Sequence, residues 1–86
     1  MEKTFKILND EGMHARPAGA FVKVANEFKS AVEVQANGMT KNGKSIMGLM
    51  SLGLGKDAEI TIITKGEDEE AALEKLGKLI ENKFQI

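Results

Sequence analysis

The 86-residue chain contains no cysteine, no tryptophan and no tyrosine, and it has one histidine, one arginine and one proline. Without cysteine the chain can form neither a disulfide framework nor a thiolate metal site, and it has no thiol nucleophile. A single histidine also excludes a metal centre built from several histidines. A hydrolase triad is disfavoured because the serines show no nucleophile-elbow pattern. We expect no metal and no cofactor.

Long apolar runs and a strong excess of charge are also missing. No stretch approaches the ~18 uncharged apolar residues that suggest a membrane span, and the N-terminus lacks the apolar segment of a secretory signal. The apolar fraction of 42% and the net charge of −1 are typical of a folded domain rather than a disordered one. We expect one domain over residues 1–86 that is cytoplasmic, monomeric and not inserted in a membrane.

Hydrophobic periodicity predicts the order of the secondary structure. Phe5 and Ile7 alternate in an N-terminal strand over 4–8, and a helix begins near Pro17 and carries apolar residues as far as Phe28. The remaining elements are two strands joined by the hairpin signal Asn37-Gly38, a short helix over 46–52, a strand over 60–64, and a last helix with Leu73, Leu76, Ile80 and Phe84 on one face. The order βαββαβα predicts an α+β open-faced β-sandwich, in which a four-stranded antiparallel sheet is covered on one face by three helices.

The rare residues His14, Arg16 and Pro17 lie within four positions at the start of the first helix. Free backbone N–H groups at a helix N-terminus attract anions, and a forked guanidinium suits two phosphoryl oxygens. A neutral imidazole at this place could attack phosphorus. The alternative is an exposed loop histidine beside a solubilising arginine, and the four-residue pattern alone leaves both readings open.

A second candidate region begins at Ser45, which is placed to cap the short helix. Phosphorylation there would add about −1.5 to −2 charges beside the helix N-terminus. Ile46, Met47 and Met50 follow, and apolar residues on both sides of so short a helix predict that one side is exposed for partners. The alternative is that these side chains belong to the ordinary core.

Two other patterns carry less information about function. Residues 38–45 match the phosphate-loop pattern G-x-x-x-x-G-K-[ST], but the hairpin signal at Asn37-Gly38 and the short chain favour an accidental match. Residues 12–56 carry six basic and two acidic side chains, a net charge of +4 that favours an acidic protein partner. We expect no direct contact with nucleic acid, because aromatic and arginine clusters are absent.

The segments Gly12-Met13-His14-Ala15-Arg16-Pro17-Ala18 and Lys44-Ser45-Ile46-Met47-Gly48-Leu49-Met50-Ser51-Leu52-Gly53 together resemble HPr, the histidine-containing phosphocarrier family of the bacterial sugar phosphotransferase system. The resemblance spans essentially the whole chain. It implies a carrier rather than an enzyme. His14 would accept a phosphoryl group at Nδ1 from phosphorylated enzyme I and pass it to sugar-specific enzyme II A components, with assistance from Arg16.

The segment from Lys44 to Gly48 resembles the Gram-positive branch of that family. The resemblance implies that an HPr kinase/phosphorylase phosphorylates Ser45, and that the product binds a catabolite-control repressor and accepts phosphoryl groups from enzyme I poorly. Ile46, Met47 and Met50 match the family's partner-contact positions. His14 disfavours the related regulatory homologue that lacks this histidine. Gly19 departs from the alanine or threonine more usual in relatives, which puts the rigidity of the helix in doubt.

Overall fold

The computed structural model of the chain describes residues 1–85. Its elements follow the predicted order: β1 (Glu2–Lys6), α1 (Ala15–Ala25), β2 (Ala31–Ala36), β3 (Met39–Asn42), α2 (Ile46–Met50), β4 (Glu59–Lys65) and α3 (Glu69–Glu81). The strands form one four-stranded sheet in the order β1-β4-β2-β3, and every neighbouring pair is antiparallel. The predicted α+β open-faced sandwich with its three helices is confirmed.

Alternation along the strands divides the sheet into a buried face and an open face. In the central pair, Val34 of β2 lies opposite Ile62 of β4, and neither side chain is exposed to solvent. Phe5 of β1 lies opposite Ile60 and continues the apolar face toward the edge of the sheet. Along β2, the residues that alternate with the buried ones, such as Glu33, face solvent. The period of two in the sequence therefore sets which face the helices cover.

The helices complete one continuous apolar core above this face. Their largest fully buried side chains are Phe21 from α1, Leu49 from α2, and Leu76 and Ile80 from α3. Helix α3 packs on β1 and β4, and α1 packs against both other helices. This packing holds the N-terminus of α1 and the whole of α2 at fixed positions on the surface.

The ends of several elements differ from the predictions. Helix α1 begins at Ala15, so Pro17 is its third residue, and it ends at Ala25, which leaves Phe28 half-buried in the following connection. Pro17 is tolerated there because a first-turn N–H has no partner within the helix. Strand β1 ends at Lys6, one residue before Ile7, although Ile7 is still buried.

The C-terminal helix is also shorter than its apolar pattern predicts. It ends at Glu81, and both Lys83 and Phe84 adopt positive φ, at 55° and 62°. The Phe84 N–H donates to the Leu79 carbonyl at 2.8 Å, and this turn folds the Phe84 ring into the core. Phe84 therefore belongs to the buried set, as its spacing indicates, but not to the helix. Among residues 1–85, no helix combines the length and apolar character needed to cross a membrane.

Candidate functional site

His14 is the N-cap of α1, and its side chain is exposed. The residue has extended backbone geometry, with φ −84° and ψ −170°, and its imidazole makes no capping hydrogen bond. Its carbonyl accepts the first intrahelical hydrogen bond, from the Ala18 N–H at 2.9 Å. The ring is therefore accessible at the positive end of the helix without being needed to close the first turn.

Backbone donors at this helix start are concentrated at two residues. The N–H groups of Ala15 and Arg16 precede the first intrahelical hydrogen bond, and Pro17 has no N–H to offer. These two N–H groups have no acceptor among residues 1–85, and such donors beside an imidazole at the positive end of a helix form a local environment that favours a bound or attached phosphoryl group. The buried Pro17 ring fixes this geometry by restricting φ.

The loop before His14 is held by a close backbone approach at Gly12. Gly12 has φ +64°, and a Cβ at this position would lie 2.2 Å from the Leu54 carbonyl oxygen. The next residue, Met13, is buried and donates its N–H to the same carbonyl at 3.0 Å. Only glycine combines a positive φ with room for this close approach to the Leu54 carbonyl. Gly12 and Met13 therefore fix the position of the backbone just before His14.

The guanidinium of Arg16 already contacts oxygen atoms of two other residues in this structure. Its Nε and one terminal nitrogen lie 3.2 and 3.1 Å from Oε2 of Glu11, and its other terminal nitrogen donates to the Phe84 carbonyl at 3.4 Å. Glu11 Oε1 accepts from Nδ2 of the buried Asn9 at 3.2 Å. Hydrogen bonds from Asn9, and then from Arg16, hold the pKa of the Glu11 carboxyl below its usual range.

The sequence pattern does not indicate a role for Asn9 or Glu11, because the segment that contains them predicts a loop and nothing more. The opposite charges of Glu11 and Arg16, five residues apart, were the available signal. Their contact depends on how Gly12 turns the backbone, and charge spacing across a loop does not reveal that turn.

The second predicted region lies on α2. Ser45 is its N-cap, as predicted, and Oγ accepts a hydrogen bond from the Gly48 N–H at 3.1 Å. The side chains of Ile46, Met47 and Met50 are 44%, 83% and 38% exposed, and we call these three residues the α2 patch. On the opposite side, Leu49 is fully buried. The prediction that one side of this helix is exposed is confirmed, and α2 packs against α1, whose N-terminus carries His14.

The phosphate-loop pattern does not form a phosphate loop. Gly38 lies in the hairpin turn between β2 and β3, with φ +76°, and the residues that follow form strand β3. Lys44, the lysine of the pattern, donates its ammonium to the Phe28 carbonyl at 2.9 Å. The accidental origin inferred from the hairpin signal agrees with this geometry.

The family described as "PTS HPr component phosphorylation site" matches residues 1–82. The chain belongs to the HPr family. It is a phosphocarrier of the phosphotransferase system, and a role in sugar transport follows from membership of that family.

Solved structures of relatives agree with the family in sequence and fold. HPr-C-His from Thermoanaerobacter tengcongensis is 44% identical; the match covers 98% of this chain and 94% of that one, with a TM-score of 0.94. Phosphocarrier protein HPr from Bacillus anthracis is 42% identical, with 93% and 95% covered and a TM-score of 0.89. Crh, a Bacillus subtilis catabolite repression protein described as a domain-swapped dimer, is 43% identical, with 95% and 94% covered and a TM-score of 0.79.

Proposed function

We propose that His14 accepts a phosphoryl group from phosphorylated enzyme I and passes it to sugar-specific enzyme II A components. The observation that carries the proposal is the exposed imidazole of His14, which makes no capping hydrogen bond and lies beside two backbone N–H groups without an acceptor in the described part of an HPr-family chain. The lone pair of the neutral Nδ1 forms the new P–N bond as the bond between phosphorus and the donor breaks, and the donor keeps the bonding pair. The proton on Nε2 stays in place.

The neighbouring residues have separate parts in this step. Arg16 offers a fixed positive charge and two donors to the phosphoryl oxygens, and Pro17 fixes the first turn of the helix that presents His14. Because His14 is modified and then restored by transfer, the chain is a carrier and not an enzyme, and it needs no cofactor. We place this exchange in the cytoplasm, with the chain acting as a monomer and without direct contact with nucleic acid or insertion in a membrane.

The α2 patch provides the surface on which enzyme I and the enzyme II A components dock. Its exposed methionines are unbranched and adaptable, which suits a surface that serves several partners. We further propose that an HPr kinase/phosphorylase modifies Ser45, and that the modified chain binds a catabolite-control repressor. A phosphate at Ser45 would lie directly beside Ile46 and Met47, so it would place negative charge at the edge of the docking surface.

The decisive experiment is incubation with phosphoenolpyruvate and enzyme I. We expect an acid-labile, alkali-stable phosphoryl adduct, and since the chain has one histidine, His14→Ala should abolish it. Arg16→Lys, which keeps the charge but loses the fork, should still form the adduct at a lower rate. An unmodified wild-type chain, or an adduct that survives His14→Ala, would refute the carrier function.

A purely regulatory role through Ser45 is the second candidate, and the exposed α2 patch beside this serine favours it. In that case the kinase and ATP would modify Ser45, whereas enzyme I would leave His14 unmodified. Mass spectrometry of both reactions separates the two functions, and modification of another residue with Ser45 untouched would exclude the regulatory proposal.

A further inference from the structure

The guanidinium of Arg16 is held in place before any phosphoryl group arrives. Two of its nitrogens contact Oε2 of Glu11, and the third reaches the Phe84 carbonyl. In the unphosphorylated chain, Arg16 therefore contacts other acceptors, although the proposed function needs its guanidinium beside His14. His14 lies two residues before Arg16 in the sequence. A phosphoryl group on His14 would therefore be a stronger acceptor close to Arg16.

Glu11 is itself oriented toward this contact from the opposite side. Asn9 is buried, and its Nδ2 donates both to the Gly12 carbonyl at 2.8 Å and to Oε1 of Glu11 at 3.2 Å. One carboxylate oxygen is thus occupied by a fixed amide, which leaves Oε2 for Arg16. The lowered pKa of Glu11 agrees with a carboxylate that stays ionised at neutral pH.

The ion pair is exposed enough to exchange partners. The side chains of Arg16 and Glu11 are 51% and 45% exposed, and pairs in such surroundings contribute little to stability. A phosphoryl group carries up to two negative charges and three acceptor oxygens, and here it would also lie next to the helix N-terminus. It therefore competes well with a single carboxylate for the guanidinium.

We propose that Glu11 is a positioning residue for phosphoryl transfer: it holds Arg16 while His14 is unmodified and yields the guanidinium to the phosphoryl group after transfer. This inference rests on the proposed carrier function. Because Arg16 must leave a carboxylate, and because that carboxylate then faces a like charge, Glu11 makes the phosphorylated state less favourable. Glu11 thereby increases the tendency of the carrier to give the phosphoryl group away.

The first test compares phosphotransfer equilibria with enzyme I and phosphoenolpyruvate at low ionic strength. Glu11→Gln keeps an oxygen that can accept from Asn9 but removes the charge that holds Arg16. We expect it to raise the ratio of phosphorylated to unphosphorylated carrier by about two- to fivefold, the size expected for an exposed charge pair. Asp10→Asn removes the same charge one residue away, from a side chain that pairs with Lys56 and is 94% exposed. This control should change the ratio much less.

The second test follows Arg16 directly. The chain has one arginine, so a single Nε–H signal in proton–nitrogen NMR spectra reports its side chain without ambiguity. In the unphosphorylated protein, Glu11→Gln should shift this signal clearly. After phosphorylation of His14, the wild-type and Glu11→Gln signals should converge, because the guanidinium has left residue 11 in both. A residue with a merely structural role would not produce this convergence.

The outcomes separate this inference from the function on which it rests. If wild-type protein receives no phosphoryl group at His14, the carrier function and the role of Glu11 are both wrong. If His14 is phosphorylated but Glu11→Gln leaves the ratio unchanged or acts no more strongly than Asp10→Asn, the role of Glu11 alone is wrong. Arg16 signals that stay equally far apart after phosphorylation would lead to the same conclusion.

Discussion

The Oγ of Ser45 accepts a hydrogen bond from the backbone N–H of Gly48 at 3.1 Å, which closes the first turn of α2. The proposed modification site therefore also has a structural task. A phosphate on this oxygen would keep acceptor oxygens near the same helix end, where negative charge is favoured. Modification at this position changes the surface without requiring the helix to unfold.

Two substitutions at Ser45 separate the stability contributed by its capping hydrogen bond from the effect of added negative charge on phosphoryl transfer. Ser45→Ala should lower the free energy of unfolding by about 1 kcal/mol, because an N–H of the first turn loses its acceptor. Ser45→Asp retains a capping oxygen and adds charge, so it should keep most of the stability but slow phosphorylation by enzyme I. Urea unfolding and transfer kinetics measure the two effects.

Ser51→Asp is the matched control for Ser45→Asp, because it places the same charge at the C-cap of the same helix. If the effect depends on negative charge beside Ile46 and Met47, Ser51→Asp should slow phosphoryl transfer from enzyme I less than Ser45→Asp does. Equal slowing by both variants would contradict a specific effect of charge at Ser45.

Met47 tests the proposed docking surface. Its side chain is 83% exposed, so Met47→Glu should leave the unfolding transition close to that of the wild type. It should weaken binding to enzyme I, because a charge replaces exposed apolar surface, whereas Met47→Leu should bind nearly as well. Isothermal titration calorimetry with enzyme I provides the measurement.

The control for Met47→Glu is the same change at Met39, which is 39% exposed on strand β3 and outside the α2 patch. Met39→Glu should bind enzyme I like the wild type. Unchanged affinity in Met47→Glu, or equal loss in both variants, would show that the α2 patch is not the docking surface.

The sequence predicts the sheet and the helix faces well because burial follows simple periods. Val34 and Ile62 alternate with polar residues, and they do form the buried centre of the sheet. The cluster of His14 and Arg16 was visible for a different reason, namely the rarity of both residue types. In each case the signal is local along the chain.

Contacts that depend on irregular backbone could not be predicted in the same way. The contact of Arg16 with Glu11 needs the positive φ of Gly12, and its contact with the Phe84 carbonyl needs α3 to end at Glu81. Lys83 and Phe84 then adopt positive φ, which these residue types rarely do, so no local preference indicates the turn. The buried position of Asn9 likewise follows from tertiary packing.

Gly19 gives a prediction about stability inside α1. A Cβ added at this position meets no atom within 4 Å, and the residue lies in the helix interior with no need for positive φ. Gly19→Ala should therefore raise the free energy of unfolding by about 0.5–1 kcal/mol, since alanine loses less backbone entropy in a helix. In thermal unfolding, Tm should rise by about 2–8 °C.

Gly12→Ala is the contrasting control, because its new Cβ would meet the Leu54 carbonyl. It should destabilise by about 2 kcal/mol or more, from the combined cost of the left-handed backbone and the clash. A neutral or destabilising Gly19→Ala would indicate that flexibility in α1 is part of its native state.

We expect Asp68 to make the stability of the fold depend on pH. Its carboxylate accepts a hydrogen bond from the Ser30 hydroxyl and, at 2.9 Å each, from the backbone N–H groups of Lys29 and Ser30. These contacts join the start of α3 to the connection before β2. The hydrogen bond from the Ser30 side chain, followed by that from the Lys29 backbone, lowers the pKa of Asp68 from its ordinary value.

The sign of the pH effect follows from this direction. A carboxyl group with a lower pKa in the folded state stabilises the fold while ionised, so its contribution is complete above the pKa of the unfolded chain. It begins to be lost as the pH falls below the pKa of the unfolded chain, near the ordinary value of 3.8, and it is gone once the pH has fallen below the lower pKa of the folded state. Urea midpoints of the wild type should decrease over this range, and Asp68→Asn should decrease less while being less stable at pH 7. Ser30→Ala keeps the carboxylate and both backbone donors and should give an intermediate slope, whereas parallel curves for all three proteins would contradict this role of Asp68.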